Sequence, residues 1–219
     1  MTETTASDSP RTTPTRVSLQ EAVGTSASRL QAQYLGLRGV GQQAAARGRL
    51  SVLRRSAGFT PMQHPLTLQE VLDSLDPGLD PHDLGAHDEP SPSESAAFDA
   101  MTLFALHMQS STKRMHVHGR SFGTAVGMLR RASESGSLKP RFDALLAARD
   151  ERSRLNHARS LITLLRGEGI GFDYGTFARD LRTLAGNRRA GVLLRWARDF
   201  ATTPRRETES PEDSPGTTD

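Results

Sequence analysis

Apolar residues recur every three or four positions in several segments of this chain, and this spacing restricts the fold more than any other feature. In the first such segment, Met101, Phe104 and Met108 follow Ala97 at intervals of four, three and four residues. These intervals place side chains on one face of an α-helix, whereas a half-buried strand requires strict alternation. Three segments share the spacing: 97–108, 155–165 and 174–184.

Capping residues predict where several helices begin. Glu70 and Glu94 stand three positions after Thr67 and Ser91, which is the spacing of a capping box. Four side chains are therefore predicted to cap helices: Thr67, Ser91, Ser121 and Asp173.

The remaining pattern predicts an all-α fold whose helices fall into two groups, and the length fits either one globular unit or two small helical-bundle domains. Further helices are predicted at 26–37, at 41–55, around Phe142 and from Asn187 onward, and 110–119 is predicted to be irregular. Only 5% of the 219 residues are aromatic and 35% are apolar. Leu, Ala, Val and Phe must therefore form most of the core, which is typical of packed helices.

Pro-rich and polar segments predict the domain limits. Residues 1–16 and 203–219 hold few apolar side chains, so burial cannot offset the entropy of ordering them and both tails are expected to be disordered. Between the tails we predict an N-terminal helical domain at 17–119, with an acidic loop at 76–92, and a C-terminal helical bundle at 120–202.

The absence of cysteine and of long apolar runs restricts the cellular setting. Without cysteine the chain forms no disulfide and no thiolate metal site. No stretch of about 18 apolar residues is present, and the N-terminus lacks the pattern of a signal peptide. We expect a cytoplasmic protein with no membrane partner.

Positive charge is concentrated in one half of the sequence. Residues 100–206 hold 20 of the 28 Lys and Arg residues but only eight Asp or Glu, whereas 66–99 holds nine carboxylates and no Lys or Arg. Of the 28 cations 26 are Arg, whose planar guanidinium suits phosphate oxygens and the faces of bases. The segregation favours nucleic-acid binding by the basic half.

Three histidines suggest a second function for the chain, that of a metal-dependent nuclease. His107, His116 and His118 lie close together in the sequence, and neutral imidazole is a common metal ligand. No cysteine exists and no acidic residue has a suggestive spacing, so we expect no metal and no other cofactor. No catalytic triad or paired-carboxylate spacing is evident either, and the chain is predicted not to be an enzyme.

Three sequence blocks together resemble the CasB family, the small subunit of the type I-E CRISPR surveillance complex Cascade. They are Leu50–Arg55 (LSVLRR), Thr102–Gly123 (TLFALHMQSSTKRMHVHGRSFG) and Phe142–Phe200, which contains GIGFDYGTFARDL and LLRWARDF. The blocks occur in the family's order over most of residues 40–200.

The resemblance implies a function that the spacing of residues does not reveal. It implies a non-catalytic protein with two helical domains, present as two copies beside the other Cascade subunits in antiviral defence. A basic surface would contact the guide RNA and the target DNA and would hold the displaced single strand, thereby stabilising the R-loop. A free-standing helical DNA-binding protein is the alternative that the sequence leaves open.

Candidate nucleic-acid-binding residues come from the basic half and from the end of the predicted 41–55 helix. The resemblance transfers the family's double Arg to Arg54 and Arg55, and its basic pair to Lys139 and Arg141. Pro140 separates that second pair and departs from the family pattern. The full set of candidates is Arg54, Arg55, Lys113, Arg114, Arg120, Arg130, Arg131, Lys139, Arg141, Arg149, Arg152, Arg154 and Arg159.

Helical geometry limits how many of these side chains bind nucleic acid. Arg130 and Arg131 lie about 100° apart around a helix, so one of them is expected to be structural. Trp196 and Phe200 lie one turn apart and are predicted to belong to the core rather than to a base-stacking platform. Aromatic residues are too few to predict a stacking groove.

Overall fold

The structure is a computed structural model that describes residues 16–86, 88–132 and 137–203. Within these ranges the chain is all-α, as predicted, and an isolated bridge between His116 and Phe172 is the one β-type pairing. The helices are α1 Leu19–Tyr34, α2 Val40–Arg55, α3 Pro65–Ser74, α4 Pro92–His107, α5 Phe122–Ala132, α6 Leu138–Ala147, α7 Glu151–Glu168, α8 Tyr174–Leu184 and α9 Arg189–Thr202, with a short 3₁₀ turn at Pro81–Asp83. Segment 110–119 is irregular, as predicted.

Helix α4 lies at the centre of the core. Thirteen of its sixteen residues are buried, and it packs against α2, α3, α7 and α8. A helix that is apolar on nearly all sides must be covered on nearly all sides. The other helices therefore surround α4, and their outward faces form the surface of the molecule.

Three of the four predicted caps are confirmed. Ser91 and Glu94 form a reciprocal capping box at the start of α4. Asp173 accepts a hydrogen bond from the Thr176 N–H at 3.0 Å, and Ser121 accepts one from the Thr124 N–H at 3.0 Å. Each side chain satisfies a backbone donor that the first helical turn leaves unpaired.

The prediction that Thr67 caps a helix is wrong. Helix α3 begins at Pro65, two residues earlier, because proline at the first helical position loses no hydrogen bond. Thr67 is buried, and its hydroxyl lies 2.7 Å from the Ser56 hydroxyl, while Glu70 pairs with Arg49 at 2.7 Å. Contacts between α2 and α3 therefore use both side chains that the capping box would need.

The predicted aromatic core residues are confirmed. Trp196 is fully buried and Phe200 is 6% exposed. The Trp196 indole N–H donates to Asp180 at 2.8 Å, so its polar atom is satisfied inside the protein. These rings pack with Phe122, Phe142 and Phe177 between α5, α6, α8 and α9.

The division at residue 119/120 stays a prediction. In the structure, α1 from the first half packs extensively on α8 from the second half, and buried residues of both halves form one apolar cluster.

Most residues of the two tails that are predicted to be disordered lie outside the described residues. The described end of each tail is anchored, because Arg16 pairs with Asp80 at 3.1 Å and Thr203 is buried against α5 and α9. Among the described helices, none is long and apolar enough to cross a membrane.

Candidate nucleic-acid interface

Helix α7 presents a row of arginines along one side. Arg152, Arg159 and Arg166 are separated by seven residues each, which is about two helical turns and about 10 Å per step. The first two are exposed and Arg166 is half-buried. Asp150 caps the helix through the Ser153 N–H at 2.8 Å, and Gly169 ends it in a left-handed conformation at φ 67°. The row therefore has defined ends and a rigid support.

The surface between these arginines is small and uncharged. Asn156 and Thr163 are exposed and lie on the same side of α7 as the row. The carboxylates of α7 are at Glu151 and Glu168, which helical geometry turns by about 100° or more away from the neighbouring arginines. A phosphate chain that follows the row therefore meets amide and hydroxyl groups and no negative charge from this helix.

The C-terminal end of α2 adjoins the middle of the row. Gly58 adopts φ +94°, and a Cβ atom built on it would lie 2.9 Å from Nη1 of Arg159. The guanidinium of Arg159 thus rests on the backbone just beyond α2. Arg54 and Arg55 form the last turn of that helix, with Arg55 exposed and Arg54 half-buried.

The segment after α4 adjoins the other end of the row. Arg166 Nη1 donates to Gln109 Oε1 at 2.7 Å, and the Lys113 side chain crosses Gly169, where a Cβ atom would lie 3.1 Å from its Nζ. We call the combined surface the α7 strip. It consists of Arg54, Arg55, Lys113, Arg152, Arg159 and Arg166.

The cations of the α7 strip are not paired with carboxylates of the protein. Among the described residues, none of its six cations has a carboxylate oxygen within 4.0 Å. Its length is set by α7, whose 18 residues extend over about 27 Å. Such a strip attracts polyanions, because binding releases the counterions condensed on them.

Four further candidates are exposed but lie outside this strip. Arg114 follows Lys113, and Arg149 lies three residues before Arg152, so both are close to the strip along the chain. Arg131 ends α5 and Arg141 lies on α6. Within the described ranges no hydrogen bond or ion pair joins either of these last two to the strip.

Three other candidates make structural contacts. Arg130 stacks over the Phe200 ring at 4.3 Å, which confirms that one member of the Arg130–Arg131 pair is structural. Arg120 donates to the Gly171 carbonyl at 3.0 Å, and Lys139 forms an ion pair with Asp143 at 2.6 Å. Each of these cations is partly or fully engaged by the protein itself.

Arg154 is the one candidate that the structure removes. Its side chain is only 5% exposed, and its Nη2 donates to the Ala148 carbonyl at 2.7 Å. Arg154 lies two residues after Arg152, so helical geometry turns it by about 200° toward the interior. Its stem fills space at the junction of α6 and α7, and its guanidinium is not available to phosphate.

Carboxylates of the acidic segment neutralise arginines that lie elsewhere. Asp83 pairs with Arg182 at 3.3 Å, and Glu70 pairs with Arg49 at 2.7 Å. Asp80 pairs with Arg16, and Asp76 pairs with Arg29. The carboxylates of the acidic segment therefore pair with arginines outside the α7 strip, and none of them pairs with a cation of the strip in the described ranges.

The three histidines make separate structural contacts. His107 Nδ1 lies 2.9 Å from the Tyr174 hydroxyl, and burial lowers the His107 pKa to about 3. His116 Nδ1 accepts the Tyr174 N–H at 3.0 Å, and burial also lowers its pKa. His118 is exposed beside Asp173. The described part of the chain holds no group of three or more His, Cys, Asp or Glu placed to bind a metal.

Two features of this surface were missed from the sequence. Arg166 was not among the candidates, although its seven-residue spacing from Arg159 indicates the shared face. Phe59 was also missed, because phenylalanine is usually buried. It is 44% exposed, and it directly follows Gly58 beside Arg159.

Comparison with known proteins identifies the family. The family model of CRISPR-associated protein Cse2 matches residues 49–200, which is more than half of the chain. The chain belongs to the Cse2 family. This result confirms the resemblance to CasB that the sequence blocks indicate, and the matched range includes every residue of the α7 strip.

Solved structures of the Cse2 family share the fold. CasB from Thermobifida fusca matches with a TM-score of 0.66 and 28% identity, covering 83% of this chain and 97% of that chain. A CRISPR-associated Cse2-family protein from Thermus thermophilus matches with a TM-score of 0.58 and 28% identity, covering 84% and 99%. CasB from M. ruber, at 23% identity and a TM-score of 0.54, covers 85% and 94% and supports the fold alone. A search of curated proteins found no match.

Proposed function

We propose that this Cse2-family protein is a non-catalytic subunit of a Cascade complex and stabilises the R-loop through the α7 strip. Its partners would be the other Cascade subunits, a second copy of itself, the guide RNA and the target or displaced DNA strand. The observation that carries the proposal is the α7 strip, whose six cations have no carboxylate partner in the described ranges, in a chain of a CRISPR-associated family.

The strip supplies a physical bias toward the open R-loop. The heteroduplex of guide and target is about as stable as the DNA duplex that it replaces, so a modest contribution decides the equilibrium. Arginines that neutralise phosphates of a displaced strand release counterions and disfavour reannealing, without reading the sequence. The uncharged surface between the arginines leaves room for the strand to follow α7.

Charge reversal in a reconstituted complex tests this function. Changing Arg55, Arg152 and Arg159 to Glu should leave assembly intact and reduce R-loop yield by at least about fivefold, because three phosphate contacts become repulsive. The matched control changes Arg188, Arg189 and Arg198 to Glu, since these three are also exposed and lack a carboxylate partner in the described ranges. The control should retain normal yield.

Two outcomes contradict the proposal. Equal yields for the strip variant and the wild-type complex would leave the subunit a scaffold role alone. Tight and sequence-specific binding of duplex DNA by the isolated protein would instead favour a free-standing DNA-binding protein.

A further inference from the structure

Phe59 differs from every other aromatic residue in the described ranges. All eight phenylalanines, both tyrosines and the tryptophan of the chain lie in those ranges, and Phe59 alone is exposed, at 44%. Exposing a phenyl ring to water costs free energy relative to burial. A ring that stays exposed close to an arginine without a carboxylate partner is able to contact a ligand with an apolar face.

The protein holds Phe59 in a defined position. The Phe59 N–H donates to the Ser56 carbonyl at 3.0 Å, and its ring packs against the His64 ring with centroids 4.5 Å apart. His64 Nδ1 in turn lies 3.1 Å from the Ser56 hydroxyl, which contacts the buried Thr67 hydroxyl at 2.7 Å. The ring is therefore supported by His64, while 44% of the Phe59 surface stays exposed.

Phe59 lies next to the middle of the α7 strip. It directly follows Gly58, whose backbone supports the Arg159 guanidinium. Adjacent Cα atoms are about 3.8 Å apart, so the Phe59 backbone directly adjoins the backbone on which the Arg159 guanidinium rests. Together the two side chains supply a phosphate-binding group and an aromatic face, which are the two elements of a sequence-tolerant single-strand site.

We propose that Phe59 stacks on an unpaired base of the nucleic-acid strand that lies on the α7 strip. This inference rests on the proposed function and deepens it by assigning a residue, Phe59, that contacts the bases of the single strand. A duplex buries the faces of its bases against neighbouring base pairs, so it offers the Phe59 ring no partner. The cations hold the backbone, and the ring selects single-stranded over double-stranded nucleic acid.

Binding of two oligonucleotides by the purified full-length protein tests the role of Phe59. The probes are a 20-nucleotide oligo-dT and an abasic strand of the same length, which has phosphates but no bases. Phe59→Leu should bind oligo-dT about tenfold more weakly than the wild type, because base–aromatic stacking is lost. Its affinity for the abasic strand should not change, and Phe59→Trp should restore the affinity for oligo-dT.

The controls separate stacking from other roles of the ring. Leu66→Ala removes an apolar side chain that is 79% exposed on α3, and it should leave both affinities unchanged. Salt dependence separates the two proposals, since Phe59→Leu should keep the wild-type slope of affinity against salt, whereas loss of strip arginines should reduce that slope.

Three results would overturn the assignment of Phe59. They are equal affinity of the wild-type protein for the two strands, unchanged oligo-dT binding by Phe59→Leu, and an equal loss of affinity for both strands in that variant. Loss of complex assembly in Phe59→Leu with normal oligo-dT binding would also overturn it, in favour of a contact with a protein subunit.

Discussion

Asp99 is a buried carboxyl group in α4 without an arginine or lysine partner among the described residues. It is 7% exposed, burial raises its pKa to about 8, and the nearby Glu151 carboxylate also acts to raise that pKa. The folded protein therefore keeps Asp99 protonated near neutral pH, whereas the unfolded chain ionises it near the ordinary aspartate pKa of 3.8. Unfolding then releases a proton.

The first prediction concerns stability against pH. Since the folded state holds the Asp99 proton, the free energy of unfolding should fall as pH rises from about 7.5 to about 8.5, by up to about 1 kcal/mol per pH unit. Urea unfolding at the two ends of this pH range measures the change. Asp99→Asn should remove most of it.

Starting the window at about pH 7.5 separates Asp99 from the buried histidines. Burial lowers the pKa values of His107 and His116, so below about pH 7.5 the unfolded chain binds protons at these two histidines more strongly than the folded protein does. In that lower range their contribution to stability rises with pH and opposes that of Asp99. An unaltered pH dependence in Asp99→Asn would show that another group is responsible.

At the scale of the helix pair, two glycines of α5 lie against the backbone of α9 where the two helices cross. A Cβ atom on Gly123 would lie 2.9 Å from the Trp196 Cα, and one on Gly127 would lie 2.9 Å from the Phe200 carbonyl oxygen. Both contacts are with backbone, which cannot rotate away. The two glycines therefore let α9 approach α5 closely enough to bury Trp196.

The second prediction concerns this crossing. Gly127→Ala should lower the free energy of unfolding by about 2 kcal/mol, because the added methyl group forces α5 and α9 apart. Gly48→Ala is the matched control, since Gly48 is also helical and has no atom within 4 Å of a Cβ position. The control should raise stability by about 0.5 to 1 kcal/mol. Equal effects in chemical denaturation would contradict the close-packing explanation.

Local sequence signals predict the elements better than they predict exposure. The caps at Ser91, Ser121 and Asp173 depend on residues within one turn, so sequence spacing reveals them. The predicted cap at Thr67 is wrong because its hydroxyl contacts Ser56, 11 residues earlier, across the interface of α2 and α3. Tertiary contacts of this kind leave no local pattern.

For the candidate site too, the sequence does not reveal which side chains are exposed. Sequence charge alone cannot separate Arg152, which is exposed, from Arg154, which is buried two residues later. Their angular separation on α7 becomes informative only once the buried face of that helix is known. Phe59 could not be predicted as exposed, because neither its residue type nor its spacing distinguishes it from core phenylalanines.

At the scale of the whole molecule, the carboxylates of the acidic segment pair with arginines outside the α7 strip, so the strip stays positive. The acidic segment pairs with arginines of the N-terminal end, α1, α2 and α8. The strip along α7 has no such partner in the described ranges. A net positive field over that strip follows, and it falls with salt over about one Debye length.

The most direct test of this account is the salt dependence of single-strand affinity. If all six cations of the α7 strip contact phosphates, the log–log slope of affinity against salt for oligo-dT should be about −4. Replacing Arg152 and Arg159 by Gln should reduce its magnitude to about 3, and replacing Arg188 and Arg189 by Gln should leave it at about 4. A slope that is the same in all three proteins would contradict the claim that the α7 strip holds the nucleic-acid backbone.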